Sequence, residues 1–321
     1  MDREEIKMET LTISLILLAY NDEKTVKIAL ESILNQDILE RNIQVDLTVL
    51  PNGCTDGTVQ TINNFFKTKT IPDSLSWRCI VSPIGNRNKA LNMGLKETTG
   101  KYVFYMNADC TISEGAISAS VNLFDNKEVV RLVGLHVIPN TDHLLADSFI
   151  KGMFEIEIAS GKIKGKEVPI GRFMGMRNGL IESVPEDIHS EDIWLDLFTA
   201  DKYGLDSITV IKDEYVYWNP PADWAEYINL YARYKHGMTQ LFKAHPESFV
   251  IFQKFMAEVK PKSTVELREE IVDVLVGNGK EKDKAEELFE LYKNVNKIYH
   301  EQEKILNSKL INSSGKWLTD R

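Results

Sequence analysis

The residue types that could do chemistry gather in a few short stretches. NADC, residues 107–110, ends an apolar run and offers one carboxylate, Asp109, which could hold a divalent cation or stand in an ordinary turn. HSEDIWLD places Glu191 and Asp192 at the start of a predicted helix, where the helix dipole favours anions whatever their role. GNRNK puts Arg87 and Lys89 near another helix start. A cation there suits a phosphate group; for Lys89 a solvated basic helix face is the plainer reading. PNGCTDGT, residues 51–58, is a turn in which Asn52 offers an amide donor and acceptor and Asp56 suits holding the loop and capping the next helix. NLYARYKHG, residues 229–237, sets Arg233, Lys235 and His236 among aromatic side chains on one predicted helix.

What positions these stretches is an alternation of strand and helix. Strands are expected over 12–18, 45–50, 78–82 and 102–106, each a short run of apolar and β-branched residues. Helices are expected between them, one with an apolar face of Val26, Ala29, Leu30, Ile33 and Leu34 capped by Asn21 or Asp22, one over 58–66, and one over 88–97 stopped by Gly100. Such alternation implies right-handed crossovers and a mostly parallel sheet flanked by helices. Ligands of such sheets bind beyond the carboxyl ends of the strands, so AYND after the first strand, PNGCTD after the second and NADC after the fourth point at one crevice. Further on, strands are expected over 129–138, 172–176, 208–211 and 215–218, with a helix over 190–203 ended by Gly204. From Pro221 the chain reads as helices, with a capping box at Ser263 and Glu266 and apolar residues at helical spacing from 280 to 310. The expected division is an α/β domain over 1–240 and a helical C-terminal extension over 241–321.

The chain has 321 residues and is 43% hydrophobic, enough for a sizeable core. With 38 Lys and Arg against 48 Asp and Glu the net charge is -10, which argues against a broad nucleic-acid footprint while allowing a local basic pocket. Cys54, Cys79 and Cys110 are an odd number without regular spacing, neither a disulfide framework nor a zinc site. Together with an acidic, polar N-terminal stretch and no apolar run near the ~20 residues of a membrane span, they predict a cytoplasmic protein. Peripheral contact with the inner face of a membrane, and self-association through the C-terminal helices, stay open.

Four segments, LILLAYNDEKTVKIALESILNQ, VLPNGCTDGT, GNRNKALNMGLKETTGKYVFYMNADC and SVPEDIHSEDIWL, resemble in order and spacing those of the nucleotide-sugar-dependent glycosyltransferases of family 2. The resemblance implies the GT-A fold, a Rossmann-like sheet flanked by helices. It implies contacts to the nucleotide-sugar from Ala19, Tyr20, Asn21, Asn52, Arg87, Asn107 and Ala108, and more loosely from Arg233. Asp109 is then the ligand of Mn²⁺ or Mg²⁺, and Glu191 and Asp192 are the catalytic acidic pair, with Asp192 as the base.

The chain departs from the family pattern in two places. Pro51 and Asn52 stand where aspartates are common, and Asn107 replaces the first aspartate of an Asp-any-Asp motif. An amide can still serve a ribose hydroxyl. Magnesium binds with one carboxylate when phosphates and waters supply the rest. The expected activity is inverting transfer of a sugar, from a UDP-sugar in the first instance, to an acceptor hydroxyl. The acceptor, whether glycan, lipid-linked, peptide or small molecule, is not named by the sequence. A degenerate nucleotide-sugar binder is the alternative that Asn107 and Pro51 suggest; a nucleotidyltransferase is disfavoured because AYNDEKT is neither glycine-rich nor basic.

Overall fold

The structure is a computed structural model that describes residues 10–140, 171–221, 223–258, 264–277, 279–290 and 293. The chain forms two compact units, one made of residues 1–138, 168–187 and 191–218, the other of the remainder.

The first unit is built on an eight-stranded sheet: β1 (Leu11–Ala19), β2 (Ile43–Pro51), β3 (Leu75–Cys79), β4 (Tyr102–Asn107), β5 (Cys110–Ile112), β6 (Leu132–Pro139), β7 (Phe173–Arg177) and β8 (Ile208–Trp218). Their spatial order is β3-β2-β1-β4-β7-β6-β8-β5. The first four lie parallel, as the alternation predicts. Beyond β4 the character changes: β7 runs antiparallel to β4 and to β6, and β5 antiparallel to β8. The sheet is therefore mixed.

β1 shows why these residues make a central strand. Ile13, Leu15 and Leu17 point to one face and Ile16 and Leu18 to the other, and all are buried, because alternate side chains leave a strand on opposite sides. The first face packs on α1 (Val26–Leu34), α2 (Thr58–Thr68) and α4 (Ala116–Asn126) through Leu30, Ile62, Phe65 and Phe124. The second packs on α3 (Arg87–Lys96) and α5 (Glu191–Tyr203) through Ala90, Leu91 and Leu195.

Several local expectations are corrected. β3 lies three residues earlier than the apolar pattern suggests, although Ser82 still bridges to Asn52. The two strand-like runs near 208 and 215 are one strand, β8. Helix α1 starts only at Val26, with Thr25 in the cap position, because Asp22 turns back to accept from Tyr20 N at 2.8 Å. Gly100 does not stop α3. It lets the chain pass β1, where a Cβ would stand 2.6 Å from the main chain of Ile13, and the Ser14 hydroxyl accepts from Gly100 N at 3.0 Å. Gly204 does sit in the left-handed region after α5, at φ 80°.

The second unit contains α6 (Trp224–Ala244), capped by the Asp223 carboxylate on Glu226 N, then α7 (Pro246–Glu258), α8 (Thr264–Gly277) and helical residues 282–290. α6 runs through residue 240. Phe242 packs against Phe249 and Phe252, and Ile271, Val272 and Leu275 bury against Ala285 and Phe289. The capping box at Ser263, and the apolar repeat beyond 293, lie outside the described residues. No helix among the described residues is long and apolar enough to cross a membrane.

Candidate active site

Strand register brings the expected loops to one edge of the sheet. Ala19 pairs with Pro51 and Leu18 with Asn107, so β1, β2 and β4 end level. The loops after β1 and β2 then clasp one another. Asn21 Oδ1 accepts from Thr55 N at 2.8 Å, and Asp22 N donates to the Thr58 hydroxyl at 2.8 Å. Glu23 N donates to Asp56 Oδ2 at 3.1 Å, and Gly57 N donates back to Glu23 Oε2 at 3.2 Å. Asp56 also accepts from Thr58 N, which fixes the start of α2 and fits its expected structural role. Burial would raise the Asp56 carboxyl, but the hydrogen bonds from Thr58 and Glu23 outweigh it and hold the group below its ordinary value.

This clasp brings Ala19, Asn21 and Asn52 together at the ends of β1 and β2. The Ala19 carbonyl accepts from Asn52 N at 2.9 Å and from Asn52 Nδ2 at 2.8 Å, and both residues are buried. Asn52 thus ties the end of β2 to the end of β1. Asn21 adopts φ 54°, the left-handed region that an asparagine tolerates better than most residues. The Tyr20 ring is half-buried and lies beside Gly85, where an added Cβ would meet ring atom Cε2 at 3.3 Å.

At the end of β4, Ala108 is buried and its N–H donates to Leu18 O at 2.8 Å. Asp109 is half-buried; its Oδ1 accepts from the Cys110 thiol at 3.2 Å, and Oδ2 takes no hydrogen bond among the described residues. No group of three or more His, Cys, Asp or Glu side chains able to hold a metal occurs among those residues. A cation here would rest on one protein carboxylate, which fits an ion whose other ligands come with a diphosphate. Burial and the neighbouring Asp109 push the Cys110 thiol far up, which agrees with a small packed side chain rather than a nucleophile.

Arg87, at the first position of α3, joins the elements of the site. Its Nη2 donates to Asn107 Oδ1 at 2.9 Å and to Gly171 O at 2.9 Å, and Nη1 pairs with Glu191 Oε1. Glu191 is buried. Burial, and to a lesser degree the Asp192 charge, leave its carboxyl raised to about 7 even though Arg87 pulls it down. The pair is one compensated unit, so Glu191 serves Arg87 and neutralises much of its charge.

Asp192, next in the helix, is half-buried. Its Oδ2 accepts from Gly171 N at 3.0 Å and its Oδ1 from Ile193 N at 2.9 Å. The first turn of α5 therefore presents one carboxylate locked in an ion pair and one held only by main-chain N–H groups.

Sequence reasoning did not single out Asp196 or Arg172. Asp196 lies one turn beyond Asp192, is buried, and its Oδ1 has no hydrogen-bond partner among the described residues. Burial first, and Asp192 second, push its carboxyl far up, which favours the neutral acid. Arg172 is buried with its guanidinium 3.5 Å from the centre of the Trp218 ring, a cation–π contact that places Trp218 in the packing. Asn92 exchanges hydrogen bonds with Val184, through Nδ2 at 2.9 Å and Oδ1 at 2.8 Å, and Asn88 donates to Pro185 O at 2.7 Å. These three bonds anchor the loop that leads into α5. Lys89 is exposed. Arg233 is exposed on α6, in the second unit.

An uncharacterized glycosyltransferase of Rickettsia prowazekii is 24% identical over 211 residues, covering 62% of this chain and 63% of that protein. The chain spans less than two thirds of the length of the curated relatives it matches. Among solved structures, a mannosyltransferase from Pyrobaculum calidifontis in complex with GDP-Man and Mn²⁺ superposes with a TM-score of 0.56 at 16% identity, covering 87% of this chain and 73% of that one. A glucosyl-3-phosphoglycerate synthase from Mycobacterium tuberculosis, in complex with Mn²⁺, UDP and phosphoglyceric acid, gives 0.51 at 19% identity over 73% of this chain and 78% of that one. At such identities the likeness carries the fold, which is the expected GT-A architecture. The model of "Glycosyl transferase family 2" matches residues 14–183, more than half of the chain, and the chain belongs to that family.

Proposed function

We propose that the protein transfers a sugar from a nucleoside-diphosphate sugar, a UDP-sugar in the first instance, to an acceptor hydroxyl with inversion at the anomeric carbon. The observation that carries this reading is the division of labour at the start of α5. Glu191 is engaged by Arg87, while Asp192 keeps a half-buried carboxylate held only by main-chain donors, in the same compact unit as Asp109. A structure that merely needed acids at a helix start would not have to treat the two so differently.

In this reading Asp192 accepts the proton of the acceptor hydroxyl as its oxygen bonds to the anomeric carbon. The bond from that carbon to the phosphate oxygen breaks, and its electron pair leaves with the nucleoside diphosphate. One displacement inverts the configuration. The clasped loops after β1 and β2 form the wall for base and ribose, with the Tyr20 ring as the flat surface and Asn107 near the ribose. Arg87, already balanced by Glu191, contributes mainly by fixing Asn107 and the start of α5. Asp109 would hold Mn²⁺ or Mg²⁺, and such an ion supplies charge for the departing diphosphate. The solved relatives in complex with GDP-Man or UDP and Mn²⁺ support that expectation.

The test is a panel of UDP- and GDP-sugars incubated with the protein and Mn²⁺, scored for release of the nucleoside diphosphate. Release from one donor, absent in Asp192→Asn, supports the reading. Binding of a donor with no turnover under any acceptor favours the second reading, a nucleotide-sugar binder, to which Asn107 in place of a carboxylate gives its one specific support.

A further inference from the structure

We infer that Gly171 is a positioning residue for Asp192, leaving the space in which its carboxylate is aligned for proton transfer. The inference rests on the reading of Asp192 as the base and adds a residue that the sequence motifs do not mark.

Gly171 is buried at the approach to β7. Its N–H donates to Asp192 Oδ2 at 3.0 Å, and its carbonyl accepts from Arg87 Nη2 at 2.9 Å. The next carbonyl, that of Arg172, accepts from Asn107 N at 3.1 Å. The main-chain groups of two successive residues thus hold the base, the arginine and the end of β4 in one register.

The decisive feature is the missing side chain. A Cβ on Gly171 would stand 2.9 Å from Asp192 Cβ, 3.0 Å from Oδ2 and 3.1 Å from Cγ. It would press on the root of a short side chain, not on the tip of a flexible one. Asp192 cannot yield easily, because the preceding residue is pinned by the Arg87–Glu191 pair. Gly171 is not among the glycines with positive φ, so alanine meets no backbone penalty there and tests the space alone. The relief available is rotation of the carboxylate off the Gly171 N–H, which removes a bond to the charged form and turns the base away from its line of attack.

The experiment compares wild type, Gly171→Ala, Asp192→Asn and the double variant, each with Mn²⁺ and the active donor found in the panel. Turnover, nucleotide affinity, melting temperature and the pH profile of kcat/KM are all measured. Gly171→Ala should lower kcat on the order of a hundredfold, the effect of a misplacement of about 1 Å, while nucleotide affinity stays close to wild type. The double variant should be no slower than Asp192→Asn, since Gly171 acts through Asp192. Because Asn matches Asp in size, any loss of folding stability appears in both backgrounds and is separated from this coupling. Normal turnover in Gly171→Ala, or a further hundredfold loss on top of Asp192→Asn, would overturn the inference while leaving Asp192 as the base. Normal turnover in Asp192→Asn would overturn the reading beneath it.

Discussion

The clasp between the loops after β1 and β2 and the start of α5 stabilise their residues by opposite means. The clasp is a set of neutral and charge-assisted hydrogen bonds shared among Asn21, Glu23, Asp56 and Thr58, mostly near solvent. No one of them carries it. The start of α5 concentrates Glu191, Asp192 and Asp196 within two helical turns, around one cation from α3. There Glu191 depends on Arg87 and Asp192 on two main-chain N–H groups, and burial makes an unpaired charge expensive. A wall of many weak bonds tolerates change and can shape itself to a ligand. A cluster of few strong ones holds its side chains in place and is sensitive to the loss of Arg87, the one cation it shares.

That contrast orders the expected effects. Asp192→Asn should reduce turnover by roughly 10³-fold or more, the scale of a lost general base, while nucleotide affinity by calorimetry stays near wild type. Arg87→Ala strands Glu191 in a buried place and frees both Asn107 and Gly171 O. It should lower unfolding stability by roughly 3 kcal/mol in a denaturant titration and cut turnover as well. Glu191→Gln in the same background should restore part of that stability, because the stranded charge is gone.

On the other side, Asp56→Ala should cost only about 1 to 2 kcal/mol of stability and weaken nucleotide binding a few-fold, with kcat little changed. An Asp56 effect as deep as that of Arg87 would erase the contrast.

The smallest effect is a pH effect. Asp196 has a folded-state carboxyl raised far above its unfolded value by burial and by Asp192. The native state therefore binds a proton that the unfolded state has released, and stability falls as pH rises above the ordinary carboxyl range. Asp196→Asn should melt a few degrees higher than wild type at pH 8 and converge with it near pH 4. A constant difference across that range would mean that Asp196 is ionised in the fold.

The parallel half of the sheet was legible because strands buried on both faces leave near-continuous apolar runs, and the strand ends then follow from the register. The antiparallel half was less so. β5 has three residues, and α4 carries Ser118 and Ser120 on its buried side, where their hydroxyls return to main-chain carbonyls, so neither presents a clear apolar period. At the site, the residue types of Asp109, Arg87, Glu191 and Asp192 announced themselves. Their partners did not. That Arg87 would take Glu191, leaving Asp192 apart, depends on α3 and α5 lying on one face of the sheet. Gly171 gives no signal in sequence, because its contribution is the space it leaves. Asn52 illustrates the converse: its amide reads as a ligand group, and in the fold its Nδ2 also satisfies the carbonyl at the end of β1.

In the proposed function, holding the donor and taking the proton fall to separate carboxylates, Asp109 and Asp192. That division is tested most directly by titrating wild type, Asp109→Ala and Asp192→Asn with UDP and GDP in calorimetry, each with and without Mn²⁺, beside their rates of donor turnover. The account predicts Mn²⁺-dependent binding of one nucleotide that is lost in Asp109→Ala and kept in Asp192→Asn, with turnover lost in both. Nucleotide binding indifferent to Mn²⁺ and to Asp109, or lost equally in both variants, would contradict it.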